Sequence, residues 1–247
     1  MTKFFNFLGA LTPISACQFD NKMSVENNTN ELVNIDLVKP IVRSVNNNAL
    51  TSDSIPKIEI KVDEEFKYIG KFDFEIIASS DEYPPDMIGK PMAASERLVF
   101  ASADEELHVD KLFIVQFEEF LNTNEFIYNY NFDATDLIGK NKYRHNTWHY
   151  DGQVSIKENP LGEWAKTDSF LKENNLIMDD HIMMSRFVGL ASGDRKNEII
   201  IFYHEFLKNS TGHTLNEWEN SVSTEEKLST DSAFVQRSTS SFKIIND

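Results

Sequence analysis

His145 and His149 stand four residues apart in Tyr143-Arg-His-Asn-Thr-Trp-His-Tyr150. On a helix that spacing would converge two imidazoles on one metal ion. In a strand it separates them by about 13 Å, and the flanking Tyr143, Thr147, Trp148 and Tyr150 favour strand or loop. No third ligand stands at motif spacing, so no metal is assigned. His204 closes the most apolar run of the chain, and Asp179-Asp180-His181 precedes the segment expected to pair with it. A half-buried histidine beside an acid can work as a general base. His149, His204 and Asp180 are therefore the candidate catalytic residues. His204 and Glu205 point to opposite faces of a strand and cannot share a site. Arg195 and Glu198 are expected to pair across a turn.

Nucleophile motifs are absent from the sequence. Gly189-Leu-Ala-Ser-Gly193 puts its serine one position away from a G-x-S-x-G elbow. Ser-x-x-Lys occurs at Ser54–Lys57 and again at Ser169–Lys172, which shows how readily that pattern arises. No phosphate-cradling loop can be found among only 9 glycines, so no cofactor is expected. The acidic runs Asp63-Glu64-Glu65, Asp104-Glu105-Glu106 and Glu118-Glu119 lack calcium-loop spacing and read as solvated charge.

Aromatic residues make up 12% of the chain, 19 of them Phe. Many alternate with polar residues at period two, which makes them core first. The functional reading is a pocket in a curled sheet, with Phe74, Gln116, Tyr128, Tyr130 and Phe202 as ligand-binding residues and Phe72 and Phe117 completing the wall.

These side chains must be positioned by strands. Ile58–Val62 and Phe72–Ile76 alternate apolar and charged residues. Arg97–Ala101 is a short strand. Lys111–Leu121 and Phe126–Phe132 read as a hairpin about Asn122-Thr123-Asn124, and Met183–Ala191 with Glu198–Leu207 as a second, with Gly193 taking positive φ in its turn. The continuous run Ile199–Tyr203 predicts a central strand covered on both faces. A helix is expected from about Gly162 to Asn174. Thr214-Leu-Asn-Glu217 is a capping box that opens a second. The fold class is α+β, a mainly antiparallel sheet able to curl into an open barrel, with one or two helices.

The 247 residues carry 40 acidic and 24 basic side chains, a net charge of −16. That sign opposes phosphate neutralisation and excludes general nucleic-acid binding. Apolar content of 40% excludes disorder throughout.

The chain opens with Lys3 and a mostly apolar run from Phe4 to Ala16, too short to span a bilayer as a helix. Ile14-Ser15-Ala16-Cys17 resembles the lipobox of bacterial lipoproteins. The resemblance covers about 17 residues. It implies cleavage before Cys17, diacylglycerol on its sulfur and an acylated amino terminus, which anchor stably as one chain would not. Gln18 in the next position favours the outer membrane. The divisions that follow are a signal peptide over 1–16, a polar tether over 17–55, a sheet domain over 56–210 and a polar helical or flexible tail over 211–247. The expected function is non-catalytic binding of an apolar or aromatic ligand, or of another envelope component. The rival readings are a hydrolase or lyase using a histidine and a carboxylate, and a cytosolic structural protein with an unmodified Cys17.

Overall fold

The computed structural model describes residues 41–79, 83–130 and 136–246. The signal-peptide segment, Cys17 and Gln18 lie outside them. Among the described residues are two open antiparallel sheets and five helices, an α+β fold. The smaller sheet runs β1 (Arg43–Asn46), β2 (Ala49–Ser52), β3 (Ile58–Val62) and β11 (Phe242–Asn246). The larger has the order β4 (Lys67–Ile77), β5 (Pro91–Ala103), β6 (Val109–Phe120), β10 (Asn197–Phe206), β9 (His181–Leu190), β8 (Asn141–Asp151), β7 (Asp136–Ile138). It stays open rather than closing into a barrel, with β4 and β7 at its edges.

β10 is the central strand and is buried along its whole length, as its unbroken apolar run requires. Period two divides its side chains between two layers. Ile199, Ile201 and Tyr203 join Phe113, Val115 and Phe117 of β6 against Leu50, Ile58 and Ile60 of the small sheet. Phe234 of α5 (Thr224–Ser240) and Trp218 of α4 (Leu215–Asn220) complete that core. Ile200 and Phe202 face the other way, with Leu112 and Ile114, and are roofed by Trp164 and Leu171 of α2 (Glu163–Glu173). Two short helices, α1 (Gly152–Glu158) and α3 (Leu207–Thr211), follow strand ends. Each fully buried Phe or Ile contributes about 1.5–3 kcal/mol by leaving water.

Several local expectations change. The polar span 17–55 contains the β1–β2 hairpin, because Val45 and Leu50 suffice to dock it on the core. In the tail, α5 buries Phe234 and Ser238 in an otherwise polar helix, and β11 then returns to pair with β3. The Thr214 capping box forms as read. The alternating segment from Phe126 makes no strand through Tyr130, and 131–132 lie outside the described residues. It instead crosses the end of the β9–β10 hairpin, where the Tyr128 N–H donates to the Arg195 carbonyl (2.8 Å) and Arg195 Nε to the Tyr128 carbonyl (2.7 Å). Arg195 is thus not paired with Glu198, and it, rather than Gly193, takes the positive φ (62°) in that turn. Gly70 is needed where it stands: its φ is +152°, and a Cβ there would lie 3.2 Å from the Phe170 ring.

Candidate functional site

The α2-facing side of the large sheet carries charge in the middle of its core. By the pairing register Arg97 on β5 lies opposite Gln116 on β6, and Glu118 follows Gln116 on the same face. Glu198 of β10 pairs with Glu118, and Arg186 projects from β9. Above them α2 begins at Glu163, whose carboxylate suits a helix N-terminus.

Arg97 is buried and fully engaged. Nε donates to Gln116 Oε1 (2.5 Å), Nη2 to Glu163 Oε2 (2.6 Å), and Nη1 to Thr167 Oγ1 and the Glu163 carbonyl (3.2 Å). Its guanidinium lies between the rings of Phe74 and Phe202, 5.2 Å from each. Gln116 Nε2 donates to Glu118 Oε1 and to Glu163 Oε2 (3.1 Å), and the Tyr128 hydroxyl to Glu118 Oε2 (3.2 Å). Glu198 is only 2% exposed, and its Oε2 has no hydrogen-bond donor among the described residues.

Glu118 and Glu198 lie opposite each other in the register, and both carboxyls are held above the usual range. Burial, then the Glu163 charge, pushes the Glu118 carboxyl up to about 7. Burial and the charge of Glu118 hold Glu198 well above the usual carboxylate range, so its carboxyl donates to Glu118. The Tyr128 hydroxyl is raised by burial and by both acids.

These groups floor a cavity of about 30 Å³. Glu118, Glu163, Glu198 and Arg186 supply its polar surface, while Ile76, Met92, Phe120, Tyr128 and Tyr130 wall it. The tyrosine rings stack in series, Phe120–Tyr128 at 4.3 Å and Tyr128–Tyr130 at 5.9 Å.

The five aromatic-pocket residues therefore gather on one face. Tyr128 and Tyr130 line the cavity, Gln116 sits directly behind it, and Phe74 and Phe202 hold Arg97. Phe117 does not join them: one residue from Gln116, it faces the small sheet under Arg43. The acids and arginines at the centre escaped the sequence reading, which took Glu118 for strand-end charge. Their signal was a charged residue inside a long apolar run, as in Leu112–Phe120 and Ile182–Leu190.

The candidate catalytic residues do not converge. His204 is wedged against Trp164 (5.4 Å) and Phe202 (6.0 Å) with Nδ1 unpartnered. Burial, then the Arg97 charge, lowers it to about 3. His149 lies on the opposite face, its Nε2 2.7 Å from Asp231 Oδ1 on α5 and its ring against Trp218. Asp180 is exposed, and its carboxylate has no ion pair among the described residues. A line absent from the motifs does form: Asp136 Oδ2 to His145 Nδ1 (3.0 Å), His145 Nε2 to Ser185 Oγ (2.7 Å), and Ser238 Oγ donating to Ser185 Oγ (3.1 Å). It has the order of a nucleophile triad. Ser185 is wholly buried between β9 and α5, so the line ties strand to helix.

A larger depression, about 490 Å³, opens on the other face beside Ile58, Tyr143 and Ile199 and contains none of the candidate residues. No described helix is long and apolar enough to cross a membrane. No protein-family model, curated protein or solved structure matches the chain.

Proposed function

We propose that this chain is an envelope lipoprotein, anchored through Cys17, whose folded part binds a small ligand without transforming it. The ligand-binding part is carried by the tyrosine-walled cavity, with Glu118, bound by the Tyr128 hydroxyl, and Glu198 at its floor, and the anchor by Ile14-Ser15-Ala16-Cys17. Apolar walls with a few fixed polar groups are the usual design of small-molecule sites. The cavity is partly open, and its volume of about 30 Å³ exceeds the roughly 10–15 Å³ that one water requires. A ligand can thus seat one polar head there, while an apolar or aromatic body lies along Tyr128 and Tyr130. The hydrolase or lyase alternative has less support, because His149 and His204 occupy opposite faces of the sheet.

Methyl-labelled protein titrated with benzyl alcohol tests the site. Shifts of the Ile76 and Met92 methyls are expected. Shifts confined to Ile58 and Ile199, or none, would contradict it. The anchor is tested by intact mass after expression in a bacterium. Loss of residues 1–16 with acylation of Cys17 is expected, and a chain retaining Met1 with an unmodified thiol overturns that part.

A further inference from the structure

Three acids and one guanidinium line the cavity, Glu118, Glu163, Glu198 and Arg186, and a second guanidinium, Arg97, stands behind Glu163 at 2.6 Å. With all three acids ionised the group carries one uncompensated negative charge, which a single proton or a single monovalent cation would balance. Buried charge is costly unless so balanced. Lys166 adds a positive charge that faces Glu163, matched on its other side by Glu75. Lys166 on α2 donates to the Glu75 carbonyl (2.9 Å) over Phe74, and Arg144 of β8 lies on the outer Tyr130 ring (5.2 Å). Glu198, buried and lining the cavity, keeps an oxygen without a donor among the described residues.

We infer that the cavity is a site for a primary ammonium head group, which enters in exchange for the proton shared by Glu118 and Glu198. The inference rests on the ligand-binding reading above and names its ligand class: an amine with an aromatic or apolar body. In the exchange the R–NH₃⁺ group keeps its three N–H bonds and donates to the acid pair. The Glu198 O–H bond breaks, and its proton leaves to solvent. Charge within the site is unchanged. An ammonium group is small enough to enter a cavity with room for a water, and its hydrogen bonds to the two carboxylates are charge-assisted. Both carboxyls are raised by burial and by their acidic neighbours, so amine binding strengthens as pH rises through the titration of the pair.

Calorimetry on the full chain with benzylamine and benzyl alcohol, each in phosphate and in Tris, separates the possibilities. Benzylamine is expected to bind about tenfold more tightly than benzyl alcohol. Its binding should release protons, and its affinity should rise as pH is raised through about 7, where Glu118 ionises. In Glu198→Gln, where no proton can leave from position 198, the preference for the amine and the proton release should vanish, with an unchanged circular dichroism spectrum reporting an intact fold. Equal binding of amine and alcohol, amine binding without proton release, or a preference for benzoate on Arg186 overturns the ammonium assignment and leaves the pocket standing. Failure of both benzylamine and benzyl alcohol to bind overturns the pocket itself.

Discussion

Glu198→Gln replaces a titrating carboxyl with a neutral amide that still offers Glu118 a hydrogen-bond donor, and the folded protein should feel the change only at high pH. The acid pair holds a proton in the fold that an unfolded chain gives up near 4.5. A raised folded value means that the stabilisation is fully present below about 4.5 and is lost as pH rises through the folded value. The variant should match the parent at about pH 4.5 and gain on it by about 1.4 kcal/mol per pH unit above that until the folded value is reached, each kcal/mol being roughly 2–4 °C in Tm for a chain of this size. Subtracting the two proteins at each pH cancels His204, which titrates in both. Urea unfolding of both across that range is the assay. A pH-independent difference would refute the shared proton.

His204→Phe should flatten the acid limb: a folded value lowered to about 3 from 6.5 makes stability fall as pH drops through that window, by about 1.4 kcal/mol per pH unit. Thermal melts between about pH 4 and about pH 6.5 check it. Arg97→Met leaves Glu163 and Gln116 without their cation and should cost about 3–5 kcal/mol, part of it recovered in Arg97→Met/Glu163→Met. A double-mutant cycle reads the recovery. Gly189→Val should destabilise by about 1–3 kcal/mol in urea melts, since a Cβ at position 189 would lie 2.8 Å from the Tyr143 ring.

Strands with clean alternation could be read directly from the sequence, β3 and β4 among them, as could central β10 with its continuous apolar run and α2 with its spaced Trp164 and Leu171. The segment from Phe126 to Tyr130 misled because alternation encodes burial of one face, whatever buries it. Here one side lies against the hairpin end and the cavity, through only a few backbone bonds. β1, β2 and β11 were hidden by brevity and polar composition; their partners are distant in sequence, and tertiary pairing supplies what local propensity lacks. The site was half legible. Aromatics announced Tyr128, Tyr130, Phe74 and Phe202, but the acids that give the cavity its chemistry come from strands far apart in the chain, joined only by register.

A structure of the protein with benzylamine bound tests the central claim most directly. The account predicts the amine nitrogen about 3 Å from the Glu198 carboxylate, with the ring along Tyr128 and Tyr130. A ring seated in the depression beside Ile58 and Ile199, or an amine pointing to solvent, would contradict it.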